Sequence, residues 1–329
     1  MSIHPHEIKM YGDIKLYAGS GSPDLSQKIA DYLEQRLSPR EIIQFPNENI
    51  FVKLNNSARG QDVYVIQTTS SPVHYNLMEL LIMIQTVRLE SAARITAVVP
   101  YLCYGRSDKK DQPRVPITAR LVADMIERAG ADRYMTFDPH AGQIQGFFSI
   151  PGDVLTASHM VTDHIKDNLR ADMNDPVVVA TDLGFAKKGR NYALDLDVPI
   201  AFIEKRRTGN DASAEALTLI GDVNGHDVII VDDEVDTGGS VAEAVDVVKN
   251  NGARDIYLAF IHPIFSRSAA QKLAELPIKH IITTDTVPIP LPKMKPLEGR
   301  ITILSIASLL GEVIRRAHEG RSVGEMFNE

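Results

Sequence analysis

Short runs of β-branched and aliphatic residues recur along the chain, each followed by a stretch with helical spacing. This alternation limits the possible folds more than any other feature. IKLYAG, at residues 14–19, leads into PDLSQKIADYLEQRL, where Leu25, Ile29, Leu33 and Leu37 share one helical face. DVYVIQTT leads into a helical stretch from about Asn76 to Ala93, ITAVVPYL into ITARLVADMIERAG, and DRYMTFDPH closes the series. A second series runs PVVVATD, PIAFIE, DVIIVDD, a helix from Ser240 to Asn250, DIYLAFIHPIF and HIITTDT. Apolar strands without polar alternation, separated by helices, predict an α/β fold of mainly parallel sheets covered on both faces. Ligands of such sheets bind beyond the carboxyl ends of the strands.

A chain of 329 residues is long for one core, so two domains are expected. DVYVIQTTSSP, a helix and AARITAVVPYLCYGRSD parallel DVIIVDDEVDTGGS, a helix and GARDIYLAFIHPIFSRSA, which suggests a weak internal duplication. Any two βαβ units would also share much of that pattern. The boundary is placed near residue 160, after FSIPGDVLTAS, giving domains 1–160 and 161–329. The formal charge of −8 argues against a nucleic-acid partner, which would want a clustered basic face. A single cysteine, Cys103, permits no internal disulfide and fits a reducing compartment. No apolar stretch is long enough to span a bilayer, and MSIHPHEIKMYGD lacks the blocks of a signal peptide. The expectation is a cytoplasmic, soluble protein with no membrane partner.

The stretch VIIVDDEVDTGGS carries the most chemistry. Gly238 and Gly239 allow a sharp turn and close backbone approach to a ligand. A helix starting at about Ser240 aims its free N–H groups and positive dipole end into that turn, and Thr237 and Ser240 add hydroxyl donors. That set suits a phosphate dianion. Asp232 and Asp233, with Asp236 beyond them, can accept hydrogen bonds from vicinal sugar hydroxyls or hold a metal. A strand-to-helix turn with acidic caps would explain one Asp and one Gly. It does not explain three acids followed by Thr-Gly-Gly-Ser, so a ribose 5-phosphate site is the better reading.

VIIVDDEVDTGGS resembles the phosphoribosyl-pyrophosphate motif of type I phosphoribosyltransferases and of the ribose-phosphate pyrophosphokinase family. The second resemblance is the closer, because NLMELLIMIQTVRLESAARITAVVPYLCYGRSDKKD, RVPITARLVADMIERAGADRYMTFDPHAGQIQGFF, IHPIF and LLGEVIRRAHEGRSVGEMF extend it over nearly the whole chain. It implies two tandem phosphoribosyltransferase-like domains, the first on the ATP side and the second on the ribose 5-phosphate side. It also implies transfer of pyrophosphate from ATP to ribose 5-phosphate, magnesium as cofactor, and dimers building a homohexamer.

Residue by residue, the resemblance implies that Lys205 and Arg207 of EKRR, beside the loop TGNDASAEA, clamp the transferring group. Taken alone, that cluster reads as a solvated basic run. The resemblance makes His140 of FDPH and Asp182 of VVVATDLG magnesium ligands; without it, His140 is a packed or loop histidine. Arg106 and Ser107 of YGRSDKKD match an ATP-contacting pair. QFPNEN corresponds to an adenine-binding loop in which Phe45 would stack on the base beside Asn47 and Asn49, though Phe45 can equally be a core aromatic. Asn49 replaces the family's usual glutamate, Pro46 a serine, Ser149 an acid, and Phe185 the second glycine of the pyrophosphate loop. A side chain at 185 is expected to crowd a backbone–phosphate contact. Asn49 and Phe185 motivate an alternative, a non-catalytic regulatory paralogue; a phosphoribosyltransferase is a third reading.

Overall fold

The computed structural model describes residues 11–207 and 215–327. They form two compact units, Met1–Leu155 with Ala307–Glu329, and Thr156–Ile306.

In the first unit a parallel sheet is ordered β1 (Ile14–Ala18), β4 (Asp62–Ile66), β5 (Arg94–Val99), β6 (Arg133–Phe137) and β7 (Gly152–Leu155). α1 (Pro23–Tyr32), α2 (Val73–Leu89) and α3 (Thr118–Ala129) connect its strands. Every residue of β4 and of β5 is buried, as a central parallel strand covered on both faces requires. Val63, Val65, Ile95 and Ala97 pack with Leu80, Met83 and Ile84 of α2 and Val122 and Ile126 of α3. β2 (Arg40–Gln44) and β3 (Ile50–Leu54) form a separate antiparallel hairpin.

The second unit opens with α4 (Ser158–Asn168) and builds a seven-stranded sheet. Its order is β10 (Glu215–Ile220), β9 (Ile200–Arg207), β8 (Val177–Ala180), β11 (Val228–Val235), β12 (Ile256–Pro263), β13 (His280–Thr284) and β14 (Ile301–Leu304). Only β10 runs antiparallel to its neighbour. α5 (Ala186–Leu196), α6 (Gly239–Asn250), α7 (Ala269–Glu275) and α8 (Leu291–Met294) lie between strands. β11 is central, and Val228, Ile230, Val241, Val245, Leu258 and Phe260 make its core.

The expected division at residue 160 ran unbroken to the C-terminus, whereas α9 (Ala307–Glu319) groups with the first unit. A buried ion network accounts for this. Arg94 holds both carboxylate oxygens of Asp62, with Nε to Oδ1 at 2.7 Å and Nη2 to Oδ2 at 2.6 Å. The same Nη2 donates to the Ala317 carbonyl at 3.0 Å, and His318 Nδ1 lies 2.8 Å from Asp62 Oδ2. Arg315 also lies over the Tyr32 ring of α1 at 5.1 Å. α2 starts at Val73 and stops at Leu89 rather than spanning 76–93, because Ser91 takes a left-handed turn (φ 63°) into β5. Among the described residues no helix is long and apolar enough to cross a membrane.

Candidate functional site

Asp232, Asp233 and Glu234 of VIIVDDEVDTGGS lie inside β11, and Asp236 just beyond it. Asp232 pairs in register with Phe260 and Glu234 with His262, and the strand runs on to Val235. The β-branched run Val228–Val231 is fully buried and fixes the strand in mid-sheet, which places Asp232 and Asp233 at its carboxyl end. Asp233 is buried and Asp232 half-buried. Asp232 accepts the Asp233 N–H at 2.9 Å on Oδ1 and the Thr181 hydroxyl at 2.9 Å on Oδ2. Burial, and after it the Asp233 charge, hold its carboxyl above the ordinary carboxylate range.

Beyond β11 the backbone is tied to the loop after β12. Phe265 N–H donates to the Val235 carbonyl at 3.0 Å and Ser266 N–H to that of Asp236 at 2.9 Å. Thr237 is exposed, and Gly238 takes a left-handed conformation with φ 73° that starts α6. The first helical bond runs from Ala242 N–H to the Gly238 carbonyl at 3.1 Å. The N–H groups of Gly239, Ser240 and Val241 therefore precede any helical partner. Around Gly239 the only atom within 4 Å of an added Cβ is Thr237 Oγ1, at 3.7 Å. α6 is held below by Val241, Ala244, Val245 and Val248, buried at helical spacing. Helix end, hydroxyls and open space have the chemistry that suits an anion, beside two carboxylates.

Next to β11, β8 leads into Thr181 and Asp182. Thr181 is buried, and its bond to Asp232 gives it a supporting role that VVVATDLG did not signal; only the register of β8 against β11 reveals it. Asp182 is exposed, and its Oδ1 accepts the Phe185 N–H at 2.8 Å at the start of α5. Phe185 does not crowd this loop. Its ring is buried, 6.4 Å from that of Tyr192, and its φ of −86° is one any residue adopts. The expected obstruction is thereby corrected: the side chain turns into the core. β9 carries the backbone of Lys205 and Arg207, in register with Leu217 and Glu215; their side chains and the loop at 208–214 lie outside the described residues.

In the first unit, Tyr104 to Ser107 form a turn in which Ser107 N–H donates to the Tyr104 carbonyl at 2.9 Å. Arg106 is exposed, while Ser107 Oγ accepts the Thr118 N–H at 3.2 Å and so caps α3. A Cβ at Gly105 would lie 3.3 Å from His140 Cβ, so the turn and the loop after β6 are packed together. His140 is exposed and Asp138 buried. Phe45, Asn47 and Asn49 occupy the tip of the β2–β3 hairpin, where Phe45 N–H donates to the Asn49 carbonyl at 2.8 Å. Phe45 is 45% exposed, which removes the core-aromatic reading; its ring sits 6.3 Å from that of Phe51. Ser149 is exposed, with its N–H bonded to the Glu127 carboxylate.

A sequence profile of the N-terminal domain of ribose phosphate pyrophosphokinase matches residues 14–130, and one of the phosphoribosyl synthetase-associated domain matches residues 213–328. The chain is 43% identical over 314 residues to a ribose-phosphate pyrophosphokinase of Aquifex aeolicus, covering 95% of this chain and 99% of that one. It is 41% identical over 313 residues to another of Wolinella succinogenes, covering 95% and 98%. The crystal structure of phosphoribosylpyrophosphate synthetase from Mycobacterium smegmatis superposes with a TM-score of 0.88 at 40% identity, over 94% of this chain and 99% of that one.

Proposed function

The chain belongs to the ribose-phosphate pyrophosphokinase family, an enzyme family, and from that premise we propose that it makes phosphoribosyl pyrophosphate and AMP from ATP and ribose 5-phosphate. In this reaction the sugar's C1 oxygen bonds to the β-phosphorus of ATP. The bond from that phosphorus to the oxygen bridging it to the α-phosphorus breaks, AMP leaves with the electron pair, and the hydroxyl proton passes to solvent. The observation that carries the reading is the β11–α6 turn. Its free N–H groups and the hydroxyls of Thr237 and Ser240 suit the 5-phosphate, while Asp232, Asp233 and Asp236 suit the sugar hydroxyls. Asp232 accepts a diol only as carboxylate, and its Thr181 and Asp233 N–H bonds favour that form.

Lys205 and Arg207 carry the charge that stabilises the transferring group. Arg106 contacts the ATP phosphates, Ser107 holds their loop at the start of α3, and Phe45, Asn47 and Asn49 contact the base. His140 and Asp182, both exposed, are the residues that would hold a metal, and no group of three or more acid, His or Cys side chains able to hold one occurs among the described residues. With so few protein donors, a magnesium ion there would take most of its ligands from substrate oxygens and water, and it would supply positive charge to the polyphosphate. Dimers building a homohexamer belong to the same proposal, and light scattering checks them.

AMP should form only when ATP, ribose 5-phosphate and Mg²⁺ are all present, and Lys205→Ala should slow it by about 10²–10³. AMP no higher than in the sugar-free control ends the reading. The buried ring of Phe185 weighs against the regulatory-paralogue alternative, since it leaves the loop's open side clear.

A further inference from the structure

The two units repeat one plan. The series β1–α1–β2–β3–β4–α2–β5–α3–β6 recurs as β8–α5–β9–β10–β11–α6–β12–α7–β13. β1 lies parallel beside β4 as β8 lies parallel beside β11, and the last pairs of the two ladders are Ala18 with Ile66 and Ala180 with Val231. Gly19–Ser22 thus holds the place in the first unit that Thr181–Gly184 holds in the second, and Gln67 the place of Asp232. Both places lie at carboxyl ends of parallel strands, where such sheets receive ligands. In the second unit this place faces outward, with Asp182 exposed and Asp232 half-buried.

In the first unit it is filled from within. Glu79 of α2 is wholly buried, and its Oε1 accepts the Ser20 N–H at 2.6 Å. Gln67, equally buried, accepts the Gly21 N–H on Oε1 at 2.7 Å and donates from Nε2 to the Asn76 carbonyl at 3.2 Å. An added Cβ at Gly19 would run into the Gln67 carboxamide and lie 2.9 Å from Glu79 Oε1, so only glycine lets the loop close on these two side chains. Burial raises the Glu79 carboxyl above its ordinary range, while hydrogen bonds from Ser20 and then the Arg40 charge pull it back toward the ionised form. Glu79 Oε2 and the Ser22 hydroxyl, just before α1, are buried with no hydrogen-bond partner among the described residues. A charged carboxylate held on loop N–H groups at the start of a helix is the contact that a bound anion would make. We propose that the loop Gly19–Ser22 is a second anion seat, and that the chain closes it with its own Glu79 carboxylate. Its ligand class is a small carboxylate or phosphate, admitted only when Glu79 is withdrawn. This inference concerns the first unit and does not depend on the transfer reaction.

Glu79→Ala deletes a methylene and a carboxylate, which are the heavy atoms of acetate. Thermal melts of the full chain at pH 8 compare sodium acetate with sodium chloride at equal ionic strength, and with acetamide, an uncharged molecule of the same shape. In chloride the variant should melt about 3–12 °C below the wild type, from loss of one charge-assisted hydrogen bond. Acetate should recover roughly half of that shift or more, saturably, because it binds the folded state alone. Acetamide should recover far less, and neither should move the wild type. If the variant does not hold its fold in chloride, the same comparison is made by refolding, and native circular dichroism should return in acetate but not in acetamide. Glu79→Gln keeps an acceptor in the seat and loses the charge; it should melt between the two and gain nothing from acetate. Equal recovery by acetamide would make the space a plain cavity, and no recovery by either would mean that the loop receives no anion. Each of those results overturns the inference, as does a Glu79→Gln variant that responds to acetate like Glu79→Ala.

Discussion

The two glycines of the β11–α6 turn do different jobs, and substituting each by alanine separates folding from binding. At Gly238 the demand is on the backbone. The residue has φ 73°, and an added Cβ would meet only ordinary contacts, the nearest being Lys272 Cδ at 3.6 Å. Gly238→Ala should therefore cost the left-handed penalty alone, about 1–2 kcal/mol. For a unit of this size that lowers Tm by roughly 2–8 °C. At Gly239 the demand is on space outside the protein. Its φ is not left-handed, and the single neighbour of an added Cβ is Thr237 Oγ1 at 3.7 Å. Gly239→Ala replaces a glycine in the first turn of a helix and should leave Tm unchanged or raise it slightly, since Ala is the better helix former by about 0.5–1 kcal/mol. In the proposed seat the same methyl would occupy space that the phosphate needs to reach the N–H groups. Charge-assisted hydrogen bonds contribute about 1.5–3 kcal/mol each, so losing one weakens ribose 5-phosphate by roughly 10- to 150-fold. Calorimetric titration with ribose 5-phosphate and a thermal melt of each variant give both readings. If Gly239→Ala bound the sugar phosphate as tightly as the wild type at unchanged Tm, the turn would not be the phosphate seat.

Further outcomes follow from the same contacts. Asp62→Asn leaves the Arg94 guanidinium buried without its countercharge and should cost about 3–5 kcal/mol; a melt lowered by less than about 3 °C would refute that role for the network. Phe185→Gly restores the glycine usual in the family but removes a buried ring packed on Tyr192. It should lose about 3–5 kcal/mol of stability without faster AMP release, and a faster enzyme at equal Tm would mean that the ring does obstruct the loop.

Legibility in the sequence tracked how local the physical cause was. β4, β5, β8 and β11 are runs of apolar residues buried on both faces, and such runs announce themselves without any partner. The β11–α6 turn was equally visible, because acids, glycines and hydroxyls are consecutive there. The β2–β3 hairpin was not, since REIIQ and IFVKL are only partly buried and Ile43, Phe45 and Phe51 stay exposed. The grouping of α9 with the first unit rests on contacts 223–256 residues apart in the chain, which no periodicity can signal. The same holds for Thr181, whose meaning comes from the strand beside it, and for the inward turn of Phe185. Substitution in a glycine loop suggested crowding because residue type alone does not tell which way a side chain points.

If Asp232 accepts the sugar diol as proposed, the acid pair in β11 ties stability and binding to pH in opposite directions. Burial first, and the charge on Asp233 second, raise the Asp232 pKa in the folded protein above its unfolded value. Between those two values the folded state binds the extra proton, so this group's contribution to stability is greatest at low pH and is lost as pH rises through the folded pKa. Binding runs the other way, because only the ionised carboxylate offers acceptors to both sugar hydroxyls. Ribose 5-phosphate affinity should then weaken, as pH falls, at a higher pH than an ordinary aspartate would allow. The ligand's phosphate also titrates, near pH 6, and would mask this in one protein. It titrates identically for every variant, however, so the difference between variants isolates the protein group. Asp233→Asn removes the second cause and leaves the first, and should move the midpoint of the affinity profile down in pH while lowering affinity at every pH. A midpoint that stays in place when Asp233 loses its charge would mean that Asp232 is not the titrating acceptor of the diol.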